Sequence, residues 1–278
     1  MPELPEVETV RKTLEVQLGH PQIADVNIRW PRIIDNVTPE QFATSLKNET
    51  IREYRRIGKY LIFELDHYVL VSHLRMEGKY YVQLPSEPFQ EKHTHLIIAF
   101  TDGRQLRYHD TRKFGRFYLY DRHTDLMKQK AFAHCSYDVF DERVNAQYLY
   151  DSLHHRHIVL KQALLDQSVM AGIGNIYADE ICFALRRHPE TPIARLHKPE
   201  YEQLLHHTRR ILSNAIECGG TTIRSYTSSL GVDGRFQLQL QVHAKADEPC
   251  PICGSVIRKK FVATRGTYYC PKCQRKRR

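Results

Sequence analysis

Four cysteines near the carboxyl end restrict the fold more than any other stretch. They form Cys250-Pro-Ile-Cys253 and Cys270-Pro-Lys-Cys273, with sixteen residues between the pairs. Two C-x-x-C pairs at this separation fit a tetrahedral Zn²⁺ held by four thiolates, each pair closing a knuckle and the intervening segment forming a hairpin. Four protein ligands leave no position open, so one such Zn²⁺ is structural and not catalytic. A redox role would need only one C-x-x-C. The other three cysteines, Cys135, Cys182 and Cys218, stand apart and are expected to be small buried or half-buried residues. This is not a secreted disulfide framework, and a reducing cytoplasm is the expected compartment.

Charge is concentrated on the same hairpin. From Arg258 to Arg278 there are nine Lys or Arg and no Asp or Glu, while the other 32 basic residues match the 32 acidic ones. The whole formal net charge of +9 therefore lies in the last segment. Such a patch points to a polyanion, nucleic acid before membrane, because no basic amphipathic helix accompanies it. Counterion release would make binding strongly salt-dependent. The final Arg275-Lys-Arg-Arg278 alone reads equally well as a solubilising tail. No basic-then-apolar leader and no membrane-length apolar run is present.

At the other end stands Met1-Pro-Glu-Leu-Pro-Glu-Val-Glu-Thr9. Removal of Met1 would leave Pro2 as a terminal secondary amine with the carboxyl group of Glu3 beside it. An ordinary α-amine has a pKa of about 8 against about 10.4 for lysine, so roughly a tenth of it is nucleophilic at neutral pH. A secondary amine attacking a carbonyl-like carbon gives a cationic iminium directly. Pro5 suits the first turn of a helix, with Glu6 and Glu8 at its positive end. Val7, Val10, Leu14 and Leu18 repeat at helical spacing and give that helix one face to bury. An ordinary helix start accounts for the same residues.

Strand patterns fill the chain to about residue 120: Ile23–Trp30, Ile51–Ile57, Tyr60–Leu65, Tyr68–Arg75, Lys79–Leu84, Thr94–Phe100, Gln105–Asp110 and Arg116–Tyr120. Asp66-His67 and Asp102-Gly103 mark tight turns, and a helix near Pro39–Lys47 interrupts the strands. Short, evenly spaced strands favour an antiparallel sandwich. Residues 121–145 lose the period and are read as the connection between domains. Helical patterns follow at Arg143–His155, Val159–Gln167, Asn175–Arg186 and Pro199–Cys218. Asn175, after Gly172-Ile-Gly174, is placed to cap the third of these, where exposed amides also make a phosphate seat. Gly219 to Gly234 reads as a Gly/Ser/Thr-rich loop, and His154-His-Arg-His157 as a solvated helix face.

Seven blocks in one order carry a resemblance: the first nine residues, Arg56–Tyr60, His73–Gly78, Asp110–Gly115, Gly172–Glu180, Gly219–Thr222 and Arg265–Gln274. Together they resemble the formamidopyrimidine-DNA glycosylases, bacterial enzymes that remove 8-oxoguanine and ring-opened purines from DNA. The resemblance implies an α+β chain in three parts. These are a catalytic antiparallel β-sandwich with a leading helix (1–130), a helix–two-turn–helix DNA-binding domain (131–245) and a four-cysteine zinc finger (246–278). It implies Pro2 as nucleophile, Glu3 as the acid that opens the sugar, Lys59 as helper of β-elimination and Arg265 of δ-elimination. Without the matching block, Lys59 reads as a surface lysine at a strand edge. Met76, Arg112 and Phe114 match residues that fill the gap left by a flipped-out base. His93, Arg156, Lys161 and Asn175 match positions near the DNA backbone, and Thr221–Tyr226 falls in the loop that covers the extruded purine. The implied partner is double-stranded DNA with a damaged base, met by a monomer in the bacterial cytoplasm, with no membrane involved. Two stretches depart from the family: Ala133-His-Cys-Ser-Tyr137 replaces a Gly-Pro-Glu-Pro segment, and His243-Ala-Lys245 replaces Tyr-Gly-Arg ahead of the finger. A sister enzyme like endonuclease VIII, acting on oxidised pyrimidines, and a non-catalytic zinc-finger DNA-binding protein are the alternatives. The second would have no use for Pro2, Glu3 and Lys59.

Overall fold

A computed structural model describes residues 1–221 and 235–276. The chain divides into two compact units, residues 1–131 with 219–234, and residues 132–218 with 235–278.

Unit one begins with helix α1 (Leu4–Leu18), followed by β1 (Ile23–Ile28), α2 (Pro39–Leu46), β2 (Glu53–Ile57), β3 (Tyr60–Glu64) and β4 (Tyr68–His73). It continues with β5 (Lys79–Gln83), β6 (Thr94–Phe100), β7 (Gln105–His109) and β8 (Arg116–Asp121). Two antiparallel sheets result, in the orders β1-β6-β7-β5 and β2-β3-β4-β8. Every strand lies where the β-branched and aromatic alternation put it, to within two residues. Tyr54 and Phe63 of one sheet share a core with Tyr80, Leu96 and Tyr108 of the other. Buried Tyr80 Oη donates to Ser72 Oγ at 2.7 Å, joining the sheets by a hydrogen bond that satisfies both hydroxyls. Val7, Val10, Leu14 and Leu18 of α1 enter this core, each nearly fully buried. At roughly 1.5–3 kcal/mol for each such side chain, the apolar stripe is what fixes the helix.

Unit two holds α3 (Ala146–Leu153), α4 (Leu160–Leu165), α5 (Asn175–Ala184) and α6 (Lys198–Glu217), then a hairpin of β9 (Arg258–Val262) and β10 (Arg265–Tyr269). Helix α5 is buried on nearly every side, including Asp179 and Glu180. Long α6 is amphipathic and starts with a capping box of His197 and Glu200. Helix α3 is shorter than its pattern, because Asn145 caps it by accepting from Tyr148 N at 2.9 Å and it ends at Leu153. The His154–His157 run therefore belongs to the turn after α3 and not to a helix face, with its three histidines exposed. Ala133–Tyr137 is fastened within this unit: Ser136 N donates to Gln167 O at 2.8 Å, and Ala171 N to Tyr137 O at 2.9 Å. Cys135 and Cys218 are half-buried and Cys182 is buried, as their isolation suggests. No described helix is long and apolar enough to cross a membrane.

Candidate active site and nucleic-acid interface

In unit one, Glu3 is the N-cap of α1 and only 3 % exposed. Its backbone N donates to Glu6 Oε2 at 2.9 Å. The other Glu6 oxygen accepts from Thr221 N at 2.9 Å and Thr221 Oγ1 at 3.0 Å. One carboxylate thus holds both the backbone beside Pro2 and the approach to the 222–234 stretch. Gly220 is required here: its φ is +82°, and a Cβ would meet Glu6 Oε1 at 2.8 Å. In the sequence Glu6 is only a helix-start acid, because a tie to a residue so distant in the chain leaves no local pattern. Met1 is present, so the Pro2 nitrogen is an amide here and becomes an amine only on Met1 removal.

Gly58 and Lys59 form the two-residue turn between β2 and β3. Lys59 is 8 % exposed, unlike an ordinary surface lysine. Arg56, just before the turn, binds Glu8 of α1 at 3.0 Å, so the helix that starts beside Pro2 is anchored to the hairpin that carries Lys59. Beside that turn, His73 is pushed down to about 3 by burial and by the cations Arg75 and Lys59, so it is neutral at pH 7. Its Nδ1 accepts from Arg75 N at 3.0 Å.

Asp110 builds the loop that follows β7. Its fully buried carboxylate accepts from the backbone N of Arg112, Phe114 and Gly115 at 2.8–3.0 Å. This lifts Arg112 and Phe114 outward; Phe114 is 47 % exposed, with the Arg112 guanidinium 4.7 Å from its ring centre. Met76, 40 % exposed, sits on the neighbouring turn, which Thr111 and Glu77 join to this loop by a hydrogen bond. A Cβ on Gly115 would lie 1.7 Å from Tyr108 Oη and one on Gly78 2.3 Å from it, so both loops must close onto that tyrosine. Three large groups that would normally be inside or solvated singly are thus displayed together. His93 ends a short 3-10 turn, its ring 5.4 Å from that of His109.

In unit two, Gln167 shapes the glycine turn before α5 by accepting from Gly172 N and donating to Ile173 O. The cap of α5 is Gly174 and not Asn175. The Asn175 side chain instead donates to Gly266 O in the finger at 3.0 Å. Lys161, expected beside the DNA backbone, is fully buried: its Nζ reaches Asp179 at 2.7 Å, Thr267 Oγ1 at 2.7 Å and Gly266 O at 3.2 Å. Its ammonium therefore does not lie at a surface. Arg156 and Arg265 do share one groove of about 770 Å³, with His155, His157 and Asp166. Asp166 holds the Arg156 guanidinium at 2.7 Å. The basic patch is smaller than its composition. Glu190 binds Lys260 at 2.6 Å and Lys276 at 3.3 Å, and these bonds, Lys260 first, hold its carboxyl below the usual range. Arg277 and Arg278 lie outside the described residues, as does 222–234, with most of the stretch read as the covering loop.

The sulfurs of Cys250, Cys253, Cys270 and Cys273 all lie within 4.8 Å of one another. Four thiolates about 2.3 Å from one ion would stand about 3.8 Å apart, and the Cys250–Cys273 and Cys253–Cys270 sulfurs lie 3.9 and 3.4 Å apart, with no other ligand type in the cluster. These cysteines hold one structural Zn²⁺. Gly254 N donates to Cys250 O and Gln274 N to Cys270 O, which closes the two knuckles. Gln274, 1 % exposed, also accepts from Cys270 N at 2.8 Å.

Comparison with known proteins gives one answer for all parts of the chain. Residues 1–117 match the formamidopyrimidine-DNA glycosylase N-terminal domain, 136–227 the formamidopyrimidine-DNA glycosylase H2TH domain, and 247–275 a zinc finger found in FPG and IleRS. The formamidopyrimidine-DNA glycosylase of Bacillus subtilis is 46 % identical over 278 residues, all of both chains. That of Ureaplasma parvum is 45 % identical over 99 % of this chain and all of its own. Among solved structures, a Lactococcus lactis FPG mutant in complex with Fapy-dG-containing DNA has a TM-score of 0.91 at 39 % identity, covering 99 % of this chain and 100 % of its own. The L. lactis Fpg with abasic-site DNA has a TM-score of 0.90 at the same identity and coverage. This chain belongs to the formamidopyrimidine-DNA glycosylase family.

Proposed function

We propose that this chain is a DNA-repair glycosylase and abasic-site lyase that excises oxidised purines, 8-oxoguanine and formamidopyrimidines, from duplex DNA in the bacterial cytoplasm. The observation that carries the reading is the start of α1, where Glu3 is buried and its backbone is held by Glu6. A terminal amine at Pro2 would stand on a packed helix, so attack would cost little ordering entropy.

With Met1 removed, the Pro2 nitrogen attacks C1′ of the damaged nucleotide and the C1′–base bond breaks. Glu3 protonates the ring oxygen O4′, the sugar opens, and a cationic iminium remains. The iminium acidifies C2′; loss of that proton breaks the C3′–O bond, a β-elimination that Lys59 assists. Loss of a C4′ proton then breaks the C5′–O bond, and Arg265 neutralises the departing phosphate. Water hydrolyses the iminium to the aldehyde, a proton is released and the amine is freed. Before chemistry the base must leave the stack; Met76 and Phe114 fill the gap and Arg112 faces the orphaned base, offsetting a few kcal/mol of unstacking. His93, Arg156 and Asn175 take the backbone, and Lys161 supports the finger from inside.

Borohydride trapping on an 8-oxoguanine duplex tests this. Reduction of the iminium leaves a covalent adduct with the wild type and none with Pro2→Gly or Glu3→Gln. Adducts of equal yield in the variants would refute the roles assigned. A duplex with oxidised thymine, run in parallel, is expected to trap less.

A further inference from the structure

The finger hairpin has only two strands, and such a hairpin is marginal by itself. Zinc holds its base. Along β10 a second device holds it, a chain of buried polar groups that ends on the backbone of Arg265. Lys161 Nζ has three protons and three acceptors: Asp179 Oδ1 at 2.7 Å, Thr267 Oγ1 at 2.7 Å and Gly266 O at 3.2 Å. Lysine cannot accept, so Thr267 Oγ1 receives this bond and its single proton goes elsewhere, to Arg265 O at 2.9 Å. Asn175 doubles the grip on Gly266 O at 3.0 Å, and Tyr268 N donates to Asp179 Oδ2 at 3.3 Å. His243 closes the set, with Nδ1 2.8 Å from Asp179 Oδ2. Lys161, Asp179 and Thr267 have no exposed surface, so the bonds among these three work without competition from water, while the last link, to Arg265 O, is partly buried.

We infer that Thr267, backed by the Lys161–Asp179 pair and by His243 on Asp179, positions Arg265 for the second strand-cleaving elimination. These are positioning residues; none touches the substrate. The inference rests on the glycosylase/lyase reading above. In that step a base takes the C4′ proton, its electron pair forms the new C=C bond, and the C5′–O bond electrons leave with the phosphate. A guanidinium displaced from that phosphate would slow this elimination and leave the Pro2 chemistry untouched.

The test uses the full zinc-loaded chain with Met1 removed, on a duplex carrying one abasic site. Denaturing gels resolve 3′-phosphate ends, made by both eliminations, from 3′-unsaturated aldehyde ends, made by the first alone. Thr267→Val keeps the branched shape and loses the hydroxyl. It is expected to lower the phosphate-to-aldehyde ratio about fivefold, with the rate of borohydride trapping and the duplex Kd within about twofold of wild type. Thr267→Ser should restore the ratio. Should Thr267→Val lose zinc or fail to fold, His243→Phe is read instead, with a fall of about twofold in the same ratio. An unchanged ratio in the folded variant overturns the inference, and so does a parallel loss of trapping and ratio, which marks mere structural support. A wild type that neither traps nor nicks would instead defeat the underlying reading.

Discussion

The two units bear their candidate functional groups by opposite means. In unit one the groups stand on turns above a continuous apolar core: Lys59 between β2 and β3, Met76 after β4, and Arg112 with Phe114 after β7. In unit two the finger has a small apolar cluster of Phe183, Val242, Ile257 and its own cysteines, and is held by a metal site and buried charges. Burial of hydrocarbon is non-directional and tolerates adjustment, whereas a buried ion pair or metal site fails when one member is lost. The finger is therefore expected to be the brittle part and the sandwich the forgiving one.

The largest effect that could break this contrast is removal of zinc. Chelation, or Cys270→Ser, should unfold the hairpin and lower duplex affinity at least about 100-fold, because structural zinc contributes on the order of 10 kcal/mol to folding such a module. Far-ultraviolet circular dichroism should show the sandwich intact; its joint loss would show that the units are not independent. Next comes Lys161→Met, which leaves Asp179 buried beside a thioether and should cost about 3–5 kcal/mol by calorimetry. Ile98→Val in the sandwich core should cost less, about 0.5–1.5 kcal/mol. Equal costs would erase the distinction.

A further test comes from pH. His73 keeps its proton off down to about 3, while the unfolded chain binds one near the ordinary value of 6.5. The unfolded state therefore holds more protons between those values, and stability falls as pH drops from 6.5 toward 3, by at most about 1.4 kcal/mol per pH unit. His73→Gln should flatten that limb of the melting-temperature profile; an unchanged limb would show that other groups carry it. The smallest effect lies at the finger tip. Ala263 and Thr264 turn the hairpin with φ of +49° and +61°, where a β-branched residue is strained. Thr264→Gly should stabilise the hairpin by about 0.5–1 kcal/mol, read as a raised denaturation midpoint.

What the sequence made legible was local. The eight strands, the stripe Val7-Val10-Leu14-Leu18 and the paired cysteines each follow from a period or spacing that needs no partner elsewhere. What it left hidden was made by long-range approach. Glu6 meets Thr221 across most of the chain, Glu190 neutralises part of a patch that has no acid of its own, and Lys161 reaches Asp179 and Thr267 instead of a surface. Asn175 shows the same limit: its position after Gly174 suits capping, but a carbonyl in the finger claims its side chain. Composition lists charges, and only the fold decides which of them face solvent.

The proposed chemistry turns on attack of the freed Pro2 nitrogen on the damaged sugar. Its most direct measurement is peptide mass spectrometry of the borohydride-reduced adduct formed on an 8-oxoguanine duplex. The expected peptide begins at Pro2, lacks Met1 and carries the sugar remnant on its terminal nitrogen. Active protein that retains Met1, or a remnant mapped to Lys59 or another lysine, would contradict it.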